Sequence, residues 1–269
     1  MEIVLKNVSY RYKNKKLLEK VNLKISGEKI TGITGDNKTL LIELIDSLIK
    51  PSYGEIKIGN TTITKDNILE MRKEVCLISQ RSYEQFFTDT PREEMMFLVG
   101  RINYQNKDIN KKMKDALELV GLNEKYLDEP IINLSSGEKK LLQIAMGLLY
   151  NPKVIIFDEV FVELDYTNKK KIIKLIKMLK NRYHKTIIIA SNNSNLLYEL
   201  TDDLIIIKKA RVVAADETVK IYQDVDFLKY NDIEIPDLVK FTYLAKKKKV
   251  KLSYHRDIRD LIKDVYKHV

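Results

Sequence analysis

The sequence predicts an α/β protein with a mostly parallel sheet and a helical insertion between about residues 88 and 150. Three observations carry this. "KVIIFDE" (Lys153–Glu159) and "KTIIIAS" (Lys185–Ser191) are near-continuous apolar runs, as in strands buried on both faces of a parallel sheet. "TNKKKIIKLIKMLKNRY" lies between them with apolar residues three and four apart, the pattern of a crossover helix. From about Thr90 the same spacing recurs in "REEMMFLVGRI", "NKKMKDALELVGL" and "SGEKKLLQIAMGLLY", which supply the insertion.

The remaining elements follow in chain order. "EIVLKNVSYRY" and "LEKVNLKIS" alternate apolar and polar residues and read as strands with one buried face. "GEKITGIT" is a further strand, and "KTLLIELIDSLI" is a helix that ends before "KPSYGE". "GEIKIG" and "EVCLIS" add short strands, and "DDLIIIKKARVVAAD" reads as a closing hairpin. The tail from about Gln223 is helical and basic, with one break at "EIPD". Strand–loop–helix, a helical insertion, then strand–helix–strand is the order of a P-loop type fold.

Composition narrows the function classes. The chain has 269 residues, 44% hydrophobic and 32% charged, which suits a soluble globular protein with a sizeable core. No run of about 20 apolar residues could span a bilayer. The N-terminus lacks the order of a signal peptide. A single cysteine, Cys76, excludes a disulfide framework and reads as a buried thiol. These features suggest a cytosolic protein. The net charge of +10 favours an anionic partner, yet the lysines are scattered as on ordinary solvated faces. "KKKK" at Lys246–Lys249 is the one dense block and has no interleaved aromatics, so no dedicated nucleic-acid partner is expected.

Four short motifs carry the chemistry. Gln80 follows the strand "EVCLIS", and "LSSGE" (Leu134–Glu138) opens a helix. "VIIFDE" ends in Asp158 and Glu159, and "ELD" (Glu163–Asp165) follows. A strand end can deliver Asp158 to a magnesium ion that bridges nucleotide phosphates. Glu159 can polarise an attacking water. Ser135 can cap its helix, and Gly137 leaves room for a phosphate at that helix's N-terminus. Taken singly, "LSSGE" is equally a plain capping box and "DE" a strand-end turn.

Order and spacing together resemble the ATPase subunits of ABC transporters over about residues 1–235. The resemblance implies a P-loop NTPase-like ABC ATPase core with an antiparallel β subdomain and a helical signature subdomain. It spans about residues 1–225, followed by a basic, mostly helical tail, 226–269. It further implies an adenine-stacking role for Tyr12, a Q-loop role for Gln80 and a signature of Ser135, Ser136, Gly137 and Glu138. Glu159 becomes the catalytic carboxylate, and Thr39, Gln80 and Asp158 the magnesium set. "QRSYEQFFTDT" and "LKYNDIEIPDL" are similar to stretches of energy-coupling factor (ECF) transporter ATPases. In that family two such ATPases pair beneath a membrane coupling protein, on the cytoplasmic face of the membrane, and power uptake. Tyr83, Phe86 and Phe87 then offer aromatic anchors for the membrane partner, unless one or two of them pack inside.

"TGITGDNKTLLIELI" departs from the family's phosphate loop, GxxGxGK[ST]. Without a gap, Gly32, Gly35, Lys38 and Thr39 fit, Asn37 replaces a glycine, and Asp36 puts a carboxylate beside the phosphates. With a gap, three residues are absent and Asp36 and Asn37 alone separate strand from helix. The second alignment is favoured, because it keeps "KITGIT" a strand. Relatives carry a histidine at the γ-phosphate where this chain has Asn192. His184, His255 and His268 read as surface or tail residues. The expectation is weak binding of ATP and Mg2+ on this chain's own loop of Gly35, Asp36, Asn37, Lys38 and Thr39. A nearly whole signature would then be lent to a second ATPase, making a heterodimer. Two alternatives stay open: an active ATP-hydrolysing subunit, and an ABC-type ATPase acting on nucleic acid or ribosomes.

Overall fold

A computed structural model describes residues 1–80, 86–101, 108–162 and 164–267. Tyr83, Glu163 and His268 lie outside the described residues. The chain order is β1 (Ile3–Tyr12), β2 (Lys15–Ile25), β3 (Ile30–Gly35), α1 (Lys38–Ile45), β4 (Tyr53–Ile58) and β5 (Thr61–Thr62). Next come α2 (Ile68–Glu74), β6 (Val75–Ile78), α3 (Pro91–Arg101), α4 (Ile109–Leu119) and α5 (Ser136–Leu148). Then follow β7 (Val154–Asp158), α6 (Tyr166–Asn181), β8 (Thr186–Ala190), α7 (Ser194–Leu200), β9 (Asp203–Lys208) and β10 (Arg211–Glu217). The tail holds α8 (Thr218–Gln223), α9 (Val225–Tyr230), α10 (Asp237–Lys247) and α11 (Ile258–Tyr266).

Two sheets form. The first is antiparallel, in the order β2-β1-β4-β5; the second runs β10-β9-β3-β8-β7-β6. The pairs β9–β3, β3–β8, β8–β7 and β7–β6 are parallel, and β10 closes the edge antiparallel to β9. All five residues of β7 and of β8 are buried, as their unbroken apolar runs require. Their side chains alternate between two cores. Ile155, Phe157, Ile187 and Ile189 join the core that holds α5, α6 and the tail, whereas Val154, Ile156, Ile188 and Ala190 join the one beneath α1, β1 and β2.

The helices follow their local signals. Asp165 caps α6, its carboxylate accepting from the Asn168 N–H at 2.8 Å. Ile172, Leu175, Ile176 and Leu179 form that helix's buried stripe while its lysines face water. α1 is shorter than the sequence suggests, ending at Ile45, with Ser47 in the left-handed region at φ 64°. α7, α2 and the two-residue β5 were not anticipated, and the tail breaks again between α10 and α11. Among the described residues no helix is long and apolar enough to cross a membrane.

Candidate functional site

The parallel register brings the site together. Asp158 pairs with Ala190 and Ile33 pairs with the same residue, so β3, β7 and β8 end side by side. From these ends come the β3–α1 turn, the Asp158–Glu159 pair and the Ser191–Asn193 segment. This is where an open parallel sheet binds its ligand.

The turn between β3 and α1 is two residues long, Asp36 and Asn37. Gly35 precedes it at φ 96°, and a Cβ there would lie 2.1 Å from the Ile207 carbonyl oxygen. Only glycine fits against that backbone. Asn37 takes the left-handed conformation at φ 55° and starts α1 with no side-chain cap. Its Nδ2 instead donates to the Leu17 carbonyl at 2.9 Å. The Asp36 carboxylate accepts from the Lys209 N–H at 3.0 Å, and the Asp36 N–H donates to Ile207 O at 2.8 Å. Both side chains are therefore engaged by β2 and the β9–β10 turn. The Asp36 carboxylate is thus held at the β9–β10 turn. A cleft of about 570 Å³ opens here, lined by Lys15, Lys16, Leu17, Asp36, Asn37 and Lys209. Tyr12 ends β1, 60% exposed, with the Lys13 ammonium 5.7 Å from its ring centre.

Behind the turn, the first helical turn meets the carboxylates. Thr39 Oγ1 donates to Asp158 Oδ2 at 3.2 Å. Burial pushes the Asp158 carboxyl above its usual range, against the opposing pull of the Thr39 hydroxyl and the Lys38 charge. Lys38 Nζ lies 3.2 Å from Glu159 Oε1, with the two side chains only 13% and 19% exposed. Glu159 stands at φ 45° and also accepts from Ser191 Oγ at 2.9 Å and the Asn192 N–H at 3.1 Å. Asn192 Oδ1 in turn accepts from Thr34 Oγ1 at 3.4 Å. So Glu159 links Lys38, Ser191 and Asn192 in one cluster.

Magnesium usually takes one or two carboxylates and completes its shell with water and substrate phosphate. Thr39 and Asp158 fit that pattern. Gln80 lies just past β6, beside the Asp158 strand, and its carbonyl accepts from Lys140 at 2.8 Å. Among the described residues no group of three or more His, Cys, Asp or Glu side chains is arranged to hold a metal without such help.

The signature residues sit at the start of α5. Ser135 is the N-cap, with Glu138 completing a capping box: Ser135 N donates to Glu138 Oε2 at 2.9 Å, and Glu138 N donates to Ser135 Oγ at 3.3 Å. The Tyr126 hydroxyl donates to Glu138 Oε1 at 2.5 Å and, with Ser135, holds that carboxyl below its usual range. Ser136 is exposed. A Cβ at Gly137 would lie 2.2 Å from Asn168 Nδ2, which donates to Asp165 Oδ2 at 2.7 Å, so a glycine is what fits beside that amide. Sequence reasoning missed Asn168 and Lys140; the available sign was their place three residues after "ELD" and two after "LSSGE".

Other expectations fall as follows. Cys76 is buried, its thiol pushed up to about 12 by burial. Phe86 packs half-buried against the larger core, and Phe87 stands 75% exposed with its ring 5.7 Å from that of Phe97. His184 is a surface residue 3.2 Å from Glu28, and His255 pairs with Asp264 in the tail at 2.9 Å. Within the basic block, Lys246 lies over the Tyr254 ring and Lys247 over Tyr243.

A sheet end carrying a turn, a helix start and a paired Asp–Glu defines a P-loop-type nucleotide-binding domain. Residues 18–162 match the family model described as ABC transporter. The chain belongs to the ABC transporter ATP-binding family. It is 33% identical to the energy-coupling factor transporter ATP-binding protein EcfA2 of Clostridium tetani, over 93% of this chain and 90% of that protein. It is 28% identical to the EcfA2 protein of Enterococcus faecalis, over 90% and 88%. Among solved structures, cbiO1 of Clostridium perfringens, part of the ABC transporter complex cbiONQ, superposes with a TM-score of 0.74 at 25% identity. That match covers 90% of this chain and 98% of the other.

Proposed function

We propose that this chain is a nucleotide-binding subunit of an ECF-like importer, pairs with a second ATPase beneath a membrane coupling protein, and grips nucleotide poorly on its own loop. The observation that carries the reading is the two-residue turn between Gly35 and Lys38. A phosphate loop works by wrapping backbone N–H groups around an anion. Asp36 and Asn37 supply too little chain, and the Asp36 N–H is already bonded to Ile207 O. The lysine that would reach the phosphates is instead neutralised by Glu159. ATP and Mg2+ would reach Thr39 and Asp158 without a cradle.

The start of α5 is in better order. Its capping box is complete and Ser136 is exposed, so the helix N-terminus can face a phosphate held by another subunit. On this reading the partner's loop holds the productive ATP and this chain lends its signature. The test is turnover of the assembled complex. Ser136→Glu places a carboxylate at the exposed first position of α5, where the helix itself tolerates an acid. It should abolish most ATPase activity. Glu159→Gln should leave the rate within about threefold, roughly 0.7 kcal/mol of barrier. If Glu159→Gln stops turnover and Ser136→Glu spares it, this chain hydrolyses ATP itself. The retained Thr39–Asp158–Glu159 arrangement is what favours that second reading.

A further inference from the structure

Lys140 is a lysine only 2% exposed, on the second turn of α5, among Leu141, Leu142, Ile144 and Ala145 of the core. Burying an ammonium costs several kcal/mol unless its donors are met. Lys140 Nζ donates to Ser79 O at 3.1 Å, Gln80 O at 2.8 Å and Gln143 Oε1 at 3.1 Å. Among the described residues these three acceptors gather around an ammonium that carries three N–H donors. Gln143 Nε2 adds a bond to Ser79 O at 3.2 Å.

The acceptors are backbone groups with a particular position. The β6–β7 ladder ends at Ile78 and Phe157, so the Ser79 and Gln80 carbonyls lie just past its last pair. Half-buried carbonyls beyond a ladder still favour a hydrogen-bond partner, and α5 brings an ammonium to both of these. The same helix carries Ser135 and Ser136 at its start. Five residues of helix span about 7.5 Å, so the ammonium fixes the signature end within one and a half turns. An apolar side chain would fill the volume without specifying direction. The ammonium forms directed, charge-assisted bonds to the strand end beside Asp158.

We propose that Lys140 is a positioning residue: through the Ser79 and Gln80 carbonyls it sets where the α5 signature end stands relative to the carboxylate-bearing sheet. Its effect on the reaction rests on the reading that this signature completes a partner's ATP site. Its effect on geometry does not.

The test separates the two. Spin labels at Ser136→Cys and Glu199→Cys in the full-length chain report the distance from α5 to the core, and buried Cys76 does not compete for label. The parent should give one narrow distance distribution. Lys140→Met should at least double its width, and Gln143→Leu, a milder change should the first variant fold poorly, should broaden it less. Unlabelled Lys140→Met chain in the assembled complex should lower kcat per complex at least tenfold, with KM for ATP within twofold. Unchanged widths in both variants overturn the proposal whatever the turnover. Broadened widths with full turnover show that the partner does not use this signature, which removes Lys140 from the reaction and overturns the pairing reading.

Discussion

Removing the Glu159 charge should destabilise the isolated chain, because that carboxylate is the counter-ion of Lys38. The two heavy atoms are 3.2 Å apart, and the side chains are 13% and 19% exposed. Breaking a fully buried pair from one side costs about 3–5 kcal/mol, whereas an exposed pair is worth about 0–1 kcal/mol. Glu159→Gln keeps one oxygen, for either Ser191 Oγ on Oε2 or the Asn192 N–H on Oε1, and leaves the Lys38 ammonium without its counter-charge in a largely buried site. The expected cost is therefore about 1–3 kcal/mol. For a chain of this size that lowers Tm by roughly 2–8 °C. Thermal unfolding of parent, Glu159→Gln, Lys38→Met and the double variant, all without nucleotide, gives the coupling energy directly. A coupling of at least 1 kcal/mol is expected. A Glu159→Gln chain as stable as the parent, with no coupling to Lys38, would refute the claim that this pair is an internal counter-ion.

Further outcomes follow from neighbouring geometry. Gly137→Ala should force the Asn168 amide off Asp165 and cost about 1 kcal/mol of stability, as loss of one hydrogen bond does, and Asn168→Ala should absorb most of the added penalty. Asp46, whose carboxyl is pushed up to about 7 by burial, binds its proton more tightly folded than unfolded. Stability should therefore fall as pH rises from about 4 to about 7, by an upper bound on the order of 4 kcal/mol, and Asp46→Asn should flatten that slope in urea titrations. Phe87→Ala should leave thermal stability within about 0.5 kcal/mol and, on the proposed membrane pairing, weaken recovery of the chain with that complex. Phe86→Ala, cut from the core edge, should instead cost about 1–3 kcal/mol of stability.

Much of this was legible in the sequence because buried parallel strands and amphipathic helices write themselves as hydrophobic period. β7, β8 and α6 fall within two residues of "KVIIFDE", "KTIIIAS" and "TNKKKIIKLIKMLKNRY". The short turn was visible as missing glycines. Its consequence was not: sequence cannot tell that the Asp36 carboxylate meets the Lys209 N–H, 173 residues away. Long-range partners hid the same way elsewhere. Lys140 looks like any surface lysine of a basic chain until Ser79 and Gln80, some 60 residues earlier, are brought against it. Gly137 reads as a signature glycine, and nothing in the sequence places Asn168 beside it. α7, at seven residues, is too short to show a period, and α2 buries none of its residues. Helix α9 was anticipated only as helical character of the tail, and α8, which precedes that tail, was not anticipated; the break at Asp224 has no glycine or proline to mark it.

The most direct test of the central claim is equilibrium titration of the purified chain with magnesium-ATP, beside a variant in which Gly-Ser-Gly is inserted between Asn37 and Lys38. A two-residue turn offers no cradle of backbone N–H groups, so the parent should show no tight binding. The insertion should strengthen binding at least tenfold, about 1.4 kcal/mol. A low-micromolar Kd for the parent, unchanged by the insertion, would contradict the account.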